Sequence, residues 1–167
     1  ASLPLFHAFG ITVTTFLPLI EGIKTIIHPD PKDGLNISRL INQHKITILF
    51  GTSSFFRLYI INKKIHPLML DSLRYIVSGA EKLSIKIRDE FKNRFGKNIM
   101  EGYGATETSP VASCNLKDII TATHELQIGN KLSTVGMSLP GTSIKITDPN
   151  TFEELKPNEE GMVLISG

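Results

Sequence analysis

The run Leu73-Arg74-Tyr75-Ile76-Val77-Ser78-Gly79-Ala80 is β-rich and ends in small residues; after residues 84–96 comes Asn98-Ile99-Met100-Glu101-Gly102-Tyr103-Gly104. Between the two runs Ile87, Phe91 and Phe95 recur every four residues, Ser84 can cap their helix, and Gly96 stands where such a helix stops. The stretch therefore reads strand, helix, strand. Upstream the order repeats. Residues 35–44 place Ile37, Leu40 and Ile41 on one helical face, and Ile46-Thr47-Ile48-Leu49-Phe50 is a β-branched run closed by Gly51. Residues 54–62 carry Phe55, Leu58, Tyr59 and Asn62 at helical spacing, and Lys24-Thr25-Ile26-Ile27-His28 is a short β-rich run stopped by Pro29 and Pro31. Strands alternating with helices of this length require parallel βαβ crossovers. The predicted fold class is α/β, a parallel sheet flanked by helices.

From about Leu116 the pattern changes. Residues 117–131 have no clear period and are expected to be a loop or weak helix. Ile144 and Ile146 alternate with Lys145 and Thr147, residues 162–166 read as another strand, and Asp148-Pro149-Asn150-Thr151 is a turn. The expected organisation is a parallel α/β part over residues 1–115 and a loop and antiparallel β part over 116–167, both within one domain.

Composition narrows the function. The chain of 167 residues is 41% hydrophobic and 20% charged, which excludes a disordered or low-complexity protein. Its net charge of +2 argues against nucleic acid as the main ligand. The single cysteine, Cys114, forms no internal disulfide, as suits a reducing cytosol, and is expected to be buried and inert. No apolar run reaches membrane-spanning length, and the start reads as neither a signal peptide nor an initiator. A P-loop, HExxH and GxSxG are absent, and Glu107 stands where a dinucleotide fingerprint needs its third glycine.

What remains is small, polar sequence at the carboxyl ends of two predicted parallel strands, where open α/β sheets bind ligands. The second is chemically dense. Gly102 and Gly104 let a ligand approach the backbone, Tyr103 offers a flat face for a base, and Thr106 supplies a hydroxyl for a phosphate oxygen. The Glu107 carboxylate can hold Mg²⁺, which needs only one or two protein carboxylates.

The run Glu-Gly-Tyr-Gly-Ala-Thr-Glu-Thr-Ser-Pro-Val (101–111) resembles the YGxTE motif of the adenylate-forming superfamily of acyl-CoA synthetases, luciferases and peptide-synthetase adenylation domains. Other segments resemble that family's motifs in order: Leu3-Pro4-Leu5-Phe6-His7 (LPxFH), Ser78-Gly79-Ala80-Glu81 (SGxA), Thr134-Val135-Gly136 through Pro140-Gly141 (TVGxPxPG), and residues 161–167 (GELxIxG). Within the superfamily, Leu-Pro-Leu-Phe-His-Ala-Phe-Gly (3–10), Leu-Phe-Gly-Thr-Ser (49–53) and Gly-Ala-Glu-Lys-Leu (79–83) are most similar to the bacterial bifunctional acyl-acyl carrier protein synthetases/2-acylglycerophosphoethanolamine acyltransferases.

The resemblance implies an ATP-dependent ligase that adenylates a long-chain fatty acid and passes it to a thiol of acyl carrier protein. The alternatives are a long-chain acyl-CoA synthetase and a non-catalytic nucleotide-binding module. It implies ATP/AMP and Mg²⁺ as cofactors, with Thr106 on a phosphate oxygen and Glu107 on the metal, both catalytic. Tyr103 would stack on adenine with Gly104 giving clearance, and Gly79, Ala80 and Glu81 would line the other face of the base. Gly102 would sit between nucleotide and acyl tunnel. His7 either packs in the core or lies beside the acyl carboxyl; Phe6, Phe9, Phe50, Phe55 and Phe56 either line the tunnel or fill the core. The family's phosphate loop, ribose-binding aspartate and catalytic lysine fall outside residues 1–167, so the chain is expected to be an internal piece of an adenylation domain, inactive alone and prone to self-association. A cytoplasmic location is implied, with the whole protein at the cytoplasmic face of the inner membrane.

Overall fold

The computed structural model describes residues 1–167. Helix α1 covers residues 8–20 as Ala8–Ile11, a π-helical turn over Thr12–Phe16, and Leu17–Ile20. It precedes α2 (Gly34–His44), β1 (Ile48–Gly51), α3 (Ser53–Ile61), β2 (Tyr75–Ser78), α4 (Ile85–Phe95) and β3 (Met100–Tyr103). Six short strands follow: β4 (Ser113–Cys114), β5 (Ile119–Ile120), β6 (Leu126–Gln127), β7 (Met137–Ser138), β8 (Ser143–Thr147) and β9 (Met162–Ser166).

β1, β2 and β3 are parallel neighbours, with Gly51 beside Ser78 and Ser78 beside Glu101. Antiparallel β4 and β7 extend them into a five-stranded sheet of order β1-β2-β3-β4-β7. β5–β6 and β8–β9 are separate antiparallel pairs. The α/β class holds, as does the antiparallel tail, although antiparallel pairing already begins at β4.

Alternation along the strands sends Leu49 and Ile76 to one face, where they join Ile37 and Ile41 of α2, Phe56 and Tyr59 of α3, and Phe91 and Phe95 of α4 in the main core. Each such buried side chain contributes roughly 1.5–3 kcal/mol. Phe56 meets Phe91 edge-on at 5.6 Å, and Phe91 packs on Phe95 at 4.7 Å. A second cluster of Leu3, Phe9 and Val13 packs against Phe50, Phe55 and Val111, which sets α1 on the opposite side of the sheet.

Local signals account for most boundaries. Asp33 accepts from the Asn36 amide at the start of α2, Thr52 does so from Phe55 for α3, and Gly96 closes α4 at φ 65°. Two expectations are corrected and one is refined. Residues 24–28 form no strand: their backbone bonds, at Ile26 and His28, go to Ala1, and no sheet neighbour completes a ladder. Residues 117–131 are not helical; they are irregular, as a loop is, except for a short hairpin that pairs Ile119–Ile120 with Leu126–Gln127. Ser84 occupies the N-cap of α4, but its hydroxyl makes no capping bond; its amide donates instead to Ser53 Oγ at 3.1 Å.

Candidate active site

The carboxyl ends of β2 and β3 open side by side, and two cavities meet there. One, of about 580 Å³, is mainly apolar; Phe9, Phe50, Val77, Val111 and Leu139 form its walls, and His7, Thr106 and Glu107 lie at its polar parts. The other, of about 500 Å³, is more polar, with Glu81, Lys82, Arg88, Glu101 and Asn115 among its lining residues. Ala80, Gly102, Tyr103 and Gly104 belong to both, so the end of β3 is the partition between them.

The backbone there is tightly determined. A Cβ on Gly104 would lie 1.7 Å from the Pro110 carbonyl oxygen, because the chain returns across it immediately after the turn. Ala80 is held at φ 65°, a left-handed conformation that costs an alanine roughly 1 kcal/mol and persists only where neighbours impose it. In the turn Thr106–Thr108, the Thr108 hydroxyl accepts from the Ala105 amide and donates to the Ala105 carbonyl, both at 2.9 Å. Thr106 and Glu107 remain exposed at the cavity. Their hydroxyl and carboxylate fit a phosphate oxygen and one Mg²⁺ position, although no cluster of three or more His, Cys, Asp or Glu exists.

His7 is not a core residue. It is exposed, caps α1, and its Nδ1 accepts from the Phe9 amide at 3.2 Å, which leaves the proton on Nε2 as a donor. Of the phenylalanines, Phe9 and Phe50 line the apolar cavity, Phe56 is in the core, Phe55 packs in the second cluster and Phe6 is almost fully exposed.

Eight of the residues that the sequence assigned to the ligand site line the apolar cavity: His7, Gly79, Ala80, Gly102, Tyr103, Gly104, Thr106 and Glu107. Glu81 lines only the other. Its carboxylate accepts from the Ser54 amide and from the Ser54 hydroxyl at 3.1 Å, at the N-terminus of α3. Burial pushes its pKa up, but the Ser54 bonds and one from Thr52 outweigh this and hold it below the usual carboxyl value.

Sequence reasoning missed two features. Cys114 is half-buried rather than buried; it lines the apolar cavity, and loss of solvent pushes its thiol pKa up. Glu101 was read only as the start of the motif, yet its Oε1 accepts the Leu83 amide at 2.9 Å and ties the 80–83 loop to β3. The alternation of Tyr75 and Val77, opposite in face to Ile76 and Ser78, was the available signal for the cavity wall.

A mixed sheet thus opens onto paired apolar and polar cavities, with the Tyr103-Gly104-Ala105-Thr106-Glu107 run where they meet. The chain belongs to the AMP-binding enzyme family, whose model matches residues 1–167. It is 26% identical over 164 residues to a long-chain-fatty-acid–CoA ligase of Bacillus subtilis (strain 168), covering 98% of this chain and 28% of that protein. It is 32% identical over 167 residues to a probable 4-coumarate–CoA ligase 2 of Dictyostelium discoideum, covering 99% of this chain and 28% of the relative. The ATP-bound crystal structure of MatB from Rhodopseudomonas palustris superposes with a TM-score of 0.83 at 26% identity, over 99% of this chain and 30% of its own. The chain thus spans little more than a quarter of the length of the curated relatives it matches.

Proposed function

We propose that the whole protein is an ATP-dependent acid–thiol ligase that adenylates a long-chain fatty acid and transfers the acyl group to a thiol. The observation that carries this reading is the junction of the two cavities: an apolar chamber of about 580 Å³ meets a more polar one across Tyr103 and Gly104. A long acyl chain suits the first, and a purine with its ribose suits the second. Their reacting ends then meet beside His7, Thr106 and Glu107.

In this reading His7 Nε2–H donates to the fatty-acid carboxylate and orients it. Thr106 donates to an α-phosphate oxygen, Tyr103 stacks on adenine, and Gly104 leaves the clearance for it. The Ala80 and Glu81 backbone borders the base, Gly79 underlies the approach of the carboxylate, and Gly102 opens the mouth of the acyl chamber. Glu107 would hold Mg²⁺, which when bound neutralises phosphate charge as pyrophosphate leaves. The protein's task is positioning and charge stabilisation rather than covalent chemistry.

For the acceptor, Gly-Ala-Glu-Lys-Leu at 79–83 supports the phosphopantetheine thiol of acyl carrier protein, and work at the cytoplasmic face of the inner membrane goes with that reading. Coenzyme A is the second reading, favoured by the long-chain-fatty-acid–CoA ligases among the relatives. The test is pyrophosphate release by the whole protein given Mg-ATP and a long-chain fatty acid, with carrier protein and coenzyme A as parallel acceptors. Release sustained by carrier protein supports the first reading, and release with coenzyme A alone supports the second. No release with either overturns the ligase and leaves a nucleotide-binding module.

A further inference from the structure

Residues 130–135 form one wall of the polar cavity and take no part in the apolar one. They belong to no strand or helix, so the backbone ladder does not hold them. Their position is set instead by two buried polar side chains from the neighbouring strand region. Asn115 is 1% exposed and spends its amide entirely on backbone groups. Its Nδ2 donates to the Thr134 carbonyl at 2.6 Å and to the Glu101 carbonyl at 3.3 Å, and its Oδ1 accepts from the Lys131 amide at 2.9 Å. Ser113, fully buried, donates from Oγ to the Val135 carbonyl at 3.0 Å.

The two ends of the segment are pinned as well. Asp118 Oδ1 accepts from the Gly129 and Asn130 amides at 2.8 and 3.1 Å. Gly136, at φ 82°, passes so close to β4 that a Cβ would lie 2.1 Å from the Cys114 carbonyl carbon. The Glu101 carbonyl that Asn115 reaches belongs to β3, whose side chain at the same residue holds Leu83. Asn115 is therefore the joint between two walls of one cavity.

We propose that Asn115 is a positioning residue for the nucleotide: it fixes the 130–135 wall to β3, and Ser113 assists it. The assignment rests on the polar cavity being the nucleotide site. An amide is required because two donors and one acceptor are used within one short side chain. Aspartate has the same shape but turns a carboxylate toward two carbonyl oxygens, so the wall detaches.

The test compares Asn115→Asp and Ser113→Ala with the wild-type whole protein, in steady-state kinetics over ATP and over fatty acid, with AMP binding measured by calorimetry. Losing a buried, charge-repelled joint should raise the ATP KM and AMP Kd at least about tenfold in N115D and about threefold in S113A. The fatty-acid KM should stay within about twofold in both, because that cavity does not use the wall. A purely structural role lowers the active fraction and hence kcat while leaving both KM values alone, and that result overturns the proposal. If N115D does not fold, S113A decides. Variants that bind AMP as tightly as a binding-competent wild type refute the positioning role alone, whereas a wild type that binds no AMP refutes the nucleotide reading beneath it.

Discussion

Replacing Gly104 with alanine tests whether the return of the chain across β3 builds the site. The new Cβ would lie 1.7 Å from Pro110 O, 2.7 Å from Pro110 C and 2.9 Å from Val111 Cα. All three atoms are backbone, so no side chain can swing aside. Even the shortest contact seen for real Cβ atoms, 3.0 Å, requires roughly 1.3 Å of displacement. That displacement pulls on the adjacent bond from the Ala112 amide to the Tyr103 carbonyl, 2.9 Å, which anchors the start of β4 pairing. Overpacking of this kind costs about 1–3 kcal/mol and a strained hydrogen bond about 1 more, so we expect about 3 kcal/mol. With an m-value of about 2 kcal/mol/M, the urea midpoint of the transition containing this segment should fall by about 1.5 M. Gly102→Ala is the control, since its Cβ would meet Ser113 O at 3.4 Å and Cys114 Sγ at 3.5 Å, ordinary contacts. It should change stability by no more than about 0.5 kcal/mol while shortening the fatty acids accepted. A G104A protein with the wild-type midpoint, unchanged m and full adenylation would refute the crossing as the reason for this glycine.

Glu107→Gln keeps the size of the side chain but removes its charge, so pyrophosphate release should fall roughly 10²–10³-fold with AMP binding retained; unchanged release would remove its metal role. Glu81→Gln should cost about 0.5–1 kcal/mol at neutral pH, because a carboxylate at the start of α3 is lost. The sign follows from the direction of the shift. A carboxyl held below its ordinary value, near 4.5, stabilises the fold above that pH and ceases to do so as pH falls through the lowered value. The stability gap between wild type and variant, followed by urea titration, should therefore close below about pH 4.5; a gap that persists in acid would mean the side chain acts through packing.

How much was legible in advance depended on the range of the interactions involved. Helices α2, α3 and α4 announced themselves because their apolar spacing, caps and the stop at Gly96 are local. Residues 24–28 show the limit: Thr25, Ile26 and Ile27 have strand propensity, but a strand exists only with a neighbour, and sequence does not name neighbours. The short hairpin within 117–131 went unread for the same reason in reverse, since two residues in each strand are too few to show a period.

The site divides along the same line. By itself the sequence determined the α/β class, the family, and the Tyr-Gly-Ala-Thr-Glu cluster at a strand end, because each is written in consecutive residues whose chemistry and spacing are readable one after another. Only the tertiary structure decided that two cavities share Tyr103 and Gly104, that Glu81 turns to α3, that His7 is exposed with Nε2–H free, and that Asn115 joins β3 to a loop 16 and 19 residues further on. These depend on where the chain returns after a turn. A hydrogen bond or a steric limit between residues distant in sequence leaves no periodic trace in either partner.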